Sequence, residues 1–126
     1  MVIDTSAIVA ILLGEPEAAE FAAAIDHDPS RLLSAASLLE ASIVIETRKG
    51  DEGARDLDLL IYRAGIQIVA VDAEQAEVAR LAWRRYGKGR HPASLNYGDC
   101  FAYALAKTSG AQLLFKGEDF SRTDLV

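Results

Sequence analysis

The chain has 126 residues, 51% of them hydrophobic and 25% charged, which suits one globular domain, 1–126, with a sizeable core. The longest strictly apolar run, Ala7 to Leu13, is far short of the roughly 20 residues that span a membrane, and Asp4 interrupts the start before any signal-like apolar stretch. A net charge of −6 argues at first sight against a nucleic-acid binder, and one cysteine excludes an internal disulfide and suits a reducing cytoplasm.

Residues 1–4 read as a short apolar strand ending in an acid. Residues 5–13 follow as a helix closed by Gly14 and Pro16. Pro16 sits in the first turn of a second, alanine-rich helix, 15–26. Residues 31–35 are a short buried strand. A helix from Ser37 stops at Gly50, and another runs from 51 to Gly65. The β-branched run 66–71 is a strand. Asp72 caps a helix that runs into a loop near Lys88, and a turn at Ser94–Asn96 opens a further helix ending at Gly110. Residues 112–115 form the last strand. Short apolar strands alternating with helices predict an α/β domain. Its mainly parallel central sheet should have four to five strands, flanked by helices on both faces. Crossovers should be right-handed, and ligands should bind beyond the carboxyl ends of the strands.

The charge is unevenly spread. No acid lies between Glu77 and Asp99, an interval that holds Arg80, Arg84, Arg85, Lys88 and Arg90 with Trp83, Tyr86, His91 and Tyr97 among them. This segment is either a solvated helix face or a local phosphate-binding strip on an acidic body.

Four acids fall near the predicted carboxyl edge. Asp4 and Asp119 follow strands, Glu40 lies one turn into a helix after a strand, and Asp99 lies in the first turn of the last long helix. Each also fits a local role. Ser37 with Glu40 has the spacing of a capping box, as does Asn96 with Asp99; Asp4 fits a helix cap and Asp119 a turn. Brought together, the four would repel one another unless a cation sat between them, and a hard divalent ion such as Mg²⁺ suits carboxylate oxygens. His27 and His91 are too far apart for a zinc pattern. Cys100 reads as a small core residue, since no base accompanies it at a suitable spacing.

Three stretches, "MVIDTSAIVAILLGEPE", "SAASLLEASIVIE" and "LNYGDCFAYALAK…LLFKGEDFSRTDL", occur in the order and over the length that make the chain resemble the PIN-domain family, in its branch of VapC ribonuclease toxins from type II toxin–antitoxin systems. The resemblance implies a parallel sheet between helices and RNA cleavage dependent on Mg²⁺ or Mn²⁺. It also implies a homodimer neutralised by a small antitoxin. Carried over, Asp4, Glu40 and Asp99 match the three core acids, Thr5 and Ser6 the polar pair beside the first, and Asn96 the polar residue before the third. Asp119 comes two residues later than the commonest fourth position, and Glu118 competes with it.

The expected chemistry is hydrolysis in which Asp4 and Asp99 hold the metal, which activates a water for in-line attack and leaves a 5′ phosphate. Glu40 completes the acidic pocket, and Asp119 places a second ion. Arg85, Lys88 and Arg90 hold the RNA backbone, and Tyr97 stacks on a base. Two other classes compete. A receiver-like signalling domain would use Lys116 as its late lysine, but the paired early acids it needs are missing. A catalytically inactive interaction module would use the alanine-rich helix as a partner surface.

Overall fold

Strands of two or three residues persist only within a larger sheet packed against helices. The computed structural model describes residues 1–125 and places such strands in one sheet. In chain order the described elements are β1 (Val2–Ile3), α1 (Thr5–Leu12), α2 (Ala18–His27), β2 (Leu32–Ser34), α3 (Ala35–Arg63), β3 (Gln67–Val69), α4 (Ala73–Tyr86), α5 (Tyr97–Ser109) and β4 (Leu113–Leu114), followed by a 3-10 turn at Phe120–Arg122. The sheet order is β3-β2-β1-β4, and every pairing is parallel. The expected α/β architecture is therefore present, with four strands.

Side chains alternate across a strand, and β1 shows the consequence. Ile3 joins Ala7, Ile8, Phe21, Ile25, Leu33 and Ala41 in a core beneath α1, α2 and α3. Val2 faces the other way, against Leu105 and Ala106 of α5. A further cluster, with Ala82, Tyr86, Leu95, Tyr103 and Phe120, joins α4 to α5. Both faces of β1 are thus dry, and Val2 and Ile3 are fully buried. That explains why a strand of two apolar residues needs no polar alternation.

The order of the strands fixes where a site can form. From β1 the chain steps outward to β2 and then β3, and returns through α4 and α5 to β4 on the far side of β1. The direction reverses between β1 and β4. In open α/β sheets such a switch point, beyond the carboxyl ends of the two strands, is where ligands bind.

Several boundaries differ from the sequence expectation; α2 begins at Ala18 with Glu17 as its cap, so Pro16 lies ahead of the helix and not in its first turn. Ser34, not Ser37, caps α3, its hydroxyl accepting from the Ala36 amide at 3.3 Å. β2 runs into α3 with no loop between them, so the helix begins three residues early. Ser37 becomes a buried first-turn residue whose hydroxyl has no hydrogen-bond partner among the described residues. The expected stop at Gly50 is a break within α3, at φ 58° and ψ −145°. Only glycine takes that conformation without strain, and helix resumes at once on its far side.

Candidate active site at the carboxyl edge

Asp4 is where the sheet becomes the site. Its amide donates to the Leu114 carbonyl at 2.9 Å, continuing the β1–β4 pairing by one residue. Its carboxylate then caps α1, Oδ2 accepting from the Ser6 amide at 3.0 Å and the Ser6 hydroxyl at 2.6 Å. The Ser6 hydroxyl in turn accepts from the Lys116 amide at 2.9 Å, so one side chain ties the end of β1 to the loop after β4. Thr5 points elsewhere. Its hydroxyl donates to the Ser37 carbonyl at 3.2 Å, joining α1 to α3. The polar pair therefore divides its work, Ser6 holding the acid and Thr5 holding the helix that carries Glu40.

Asp4 is only 4% exposed. Burial raises its pKa, the Ser6 hydroxyl and amide oppose the rise, and the Glu40 charge adds to it. Asp99 is half-buried and its pKa is pushed up to about 6. Burial is the main cause; the Asn96 amide opposes it, and the charges of Asp4, Asp119 and Glu40 add to it. Four carboxylates from four separate parts of the chain thus share one electrostatic neighbourhood.

The local capping role of Asp99 is real as well. The Asn96 side chain accepts from the Asp99 amide at 2.9 Å, and Asp99 Oδ2 accepts from the Asn96 amide at 3.0 Å, a closed capping box. Cap and crowd are compatible, because the bond to Asn96 uses one carboxylate oxygen. The box also fixes the rotamer of Asp99 at the start of a helix whose following residues, Cys100 and Ala102 to Ala106, are buried. Burial pushes the Cys100 thiol up to about 11, which suits a core residue and not a nucleophile.

The two acids of the last loop separate by their surroundings. Asp119 precedes the 3-10 turn and acts on Asp99. Glu118 is largely exposed and lies 3.6 Å from Arg122. Lys116, whose amide joins the Ser6 network, turns its side chain to Glu15 and Glu17 at 3.3 and 3.0 Å.

A divalent cation fits this donor set. All four groups are hard oxygen donors, and Asp4 and Asp99 sit buried and half-buried with raised pKa values. Among the described residues no three potential ligands close around a single point. Mg²⁺ does not require that, since it is commonly held by one or two carboxylates and keeps several waters.

The basic segment covers the end of α4 and the loop after it. The Arg90 guanidinium lies 4.2 Å over the Trp83 ring, and Arg85 lies 4.9 Å over Tyr86. Lys88 is exposed, and its amide donates to the Leu95 carbonyl at 2.8 Å. Tyr97 is 81% exposed, packed edge-on against Phe101. Between α4 and α5 lies a groove of about 570 Å³, lined by Ala79, Trp83, Arg84, Tyr97, Cys100 and Phe101 among others. The sequence marked Trp83 only as one aromatic of the basic segment, and the groove itself was not foreseen. The signal available was the pairing of an aromatic at 83 with arginines at 80 and 84 on one helix.

The sequence profile of the PIN domain matches residues 1–126. A protein named Ribonuclease VapC from Mycolicibacterium smegmatis is 63% identical over 126 residues, covering 100% of this chain and 98% of that one. Ribonuclease VapC30 of Mycobacterium tuberculosis is 61% identical, covering 100% and 96%. The crystal structure of Mycobacterium tuberculosis VapC20, described as a sarcin-ricin loop cleaving toxin, superposes with a TM-score of 0.79 at 21% identity, over 99% of this chain and 95% of that one. At that identity the superposition speaks for the fold alone.

Proposed function

The chain belongs to the PIN-domain family, among its VapC ribonucleases, and from that premise we propose that the acidic edge beyond β1 and β4 hydrolyses RNA phosphodiester bonds with a bound Mg²⁺ or Mn²⁺. The observation that carries the reading is the gathering of Asp4, Glu40 and Asp119 around Asp99, whose pKa is raised first by burial and further by the charges of the other three. In water such carboxylates would separate; here four elements of the fold hold them together. A bound cation supplies charge neutralisation, polarises the scissile phosphate and lowers the pKa of a water.

The chain's own residues do the rest. Asp4 and Asp99 hold the ion, Asp4 fixed by Ser6 and Asp99 by Asn96. Glu40 accepts the proton of the attacking water, and the 3′ oxygen leaves, so a 5′ phosphate remains. Asp119 closes the acidic pocket near the leaving oxygen. Arg85, Lys88 and Arg90 hold the backbone of a substrate that the acids alone would repel, and Tyr97 offers an exposed ring to a base.

This reading makes the chain the toxin of a type II toxin–antitoxin pair. Its partner is a small antitoxin of the VapB type, and it works in the cytoplasm. No described helix is long and apolar enough to cross a membrane. A homodimer is supported by large apolar side chains left in water next to the site. Leu39 and Ile43, one turn apart on α3, are 62% and 59% exposed. The deciding experiment incubates the purified chain with RNA, with and without Mg²⁺, and repeats it with Asp4→Asn. Metal-dependent cleavage lost in the variant supports the reading. Cleavage that survives both chelation and the substitution refutes it.

A further inference from the structure

Gly98 occupies the second position of α5, between the exposed Tyr97 and Asp99. Its φ lies outside the left-handed region, so the backbone does not require glycine. Glycine inside a helix is otherwise unfavourable by about 1 kcal/mol relative to alanine. What the position does require is empty space. A Cβ built on Gly98 would fall 2.7 Å from Cδ and 2.8 Å from Oε1 of Glu40, and closer still to Oε2. The Glu40 carboxylate lies where a side chain at 98 would be.

We propose that Gly98 is a positioning residue, and that its missing side chain is the seat that holds the Glu40 carboxylate beside Asp99. This rests on the reading of Glu40 as part of the metal-dependent site. The seat links two distant parts of the chain. Glu40 comes from the second turn of α3, whose first turn is tied to α1 through Thr5 and the Ser37 carbonyl. Gly98 comes from the first turn of α5, whose entry is fixed by the Asn96–Asp99 box. The flexible end of a glutamate would yield to an added methyl group. Gly98→Ala should therefore leave the fold intact and move Glu40 away from Asp99.

The test is a double-mutant comparison of the full chain with Gly98→Ala, Glu40→Ala and the pair. Gly98→Ala is expected to melt within a few degrees of the unaltered protein, and its crystal structure should show the Glu40 carboxylate displaced from the seat. RNA cleavage should fall at least about tenfold, the range expected when a general base is lost or misplaced. In the Glu40→Ala background the same substitution should change cleavage less than about twofold, because the group it acts through is gone. Glu40→Asp, whose carboxylate retreats by one methylene, should partly restore cleavage to Gly98→Ala while weakening it in the unaltered chain. Additive losses, or a Glu40 that stays in place in the variant, would overturn the proposal. So would a displaced Glu40 with undiminished cleavage, which would still leave the nuclease reading standing. Failure of the unaltered chain to cleave RNA with Mg²⁺ would overturn the nuclease reading itself, and the positioning role with it, whatever the crystal shows.

Discussion

Replacing Asp99 with Asn changes one charge at nearly constant size, and the structure assigns opposite signs to its two consequences. The capping box survives in outline, because the Asn carbonyl can still accept from the Asn96 amide. What is lost is the interaction of a negative charge with the start of α5, about 0.3–1 kcal/mol. What is gained is relief from burial and from the charges of Asp4, Asp119 and Glu40, which together raise the pKa from 3.8 to about 6. Taken whole, that rise corresponds to roughly 3 kcal/mol; solvent screening of a half-exposed group cuts it to about 1–2 kcal/mol. At pH 7.5 the metal-free variant should therefore be more stable by about 1 kcal/mol, a melting-temperature gain of roughly 3–5 °C for a domain of this size. The pH dependence fixes the sign. The folded form of Asp99 holds its proton more tightly than the unfolded form. Its full stability is therefore present below pH 3.8 and is lost as pH rises to about 6. The advantage of the variant should shrink toward zero near pH 4. Stabilisation by added Mg²⁺ should shrink in the variant, since a ligand stabilises the folded state in proportion to its affinity, and RNA cleavage should fall to background. Thermal melts at pH 4 and 7.5, with and without Mg²⁺, measure all of this. A variant that melts lower at pH 7.5, responds fully to Mg²⁺ and still cuts RNA would show that Asp99 is a helix cap and nothing more.

Further outcomes follow from other contacts. Replacing Arg85, Lys88 and Arg90 together with Gln should weaken RNA binding and flatten its salt dependence by roughly 0.7 in log slope per lost contact to a single strand; an unchanged slope in a filter-binding titration would return the segment to ordinary surface. Ser6→Ala removes the hydroxyl that bridges Asp4 and Lys116. Urea denaturation should show a loss of about 1–3 kcal/mol, and a loss within error would mean the bridge is dispensable. Ser34→Ala should cost about 1 kcal/mol as a lost cap. Ser37→Ala should cost nothing, because that hydroxyl has no partner among the described residues; the reverse order would restore Ser37 as the cap. Sedimentation of the purified chain should give a dimer at micromolar concentration, and a persistent monomer would remove the homodimer from the proposal.

Alternating apolar strands and helices, readable at the period of the side chains, were enough to specify an α/β domain with a parallel sheet. The caps formed by Asp4, Asp72 and Asn96 with Asp99 were legible too, because those bonds close within three residues and depend on little beyond local geometry. Ser37 was misplaced as a cap for a related reason. Two serines three residues apart both suit the start of a helix, and the choice fell to the pairing of Ser34 with Val69 across the sheet, which no local rule contains. The four acids could be nominated one by one, but each also fitted an ordinary local role. Their shared neighbourhood follows from the order β3-β2-β1-β4, which sets Asp4 beside the loop of Asp119 and brings α3 and α5 to the same edge. Gly98 was silent in the sequence. It takes an ordinary helical conformation, and its purpose is visible only from Glu40, 58 positions earlier in the chain. Short-range hydrogen bonds and periodicity are written along the chain; repulsion between distant carboxylates, and the space one side chain needs from another, exist only once the chain has folded.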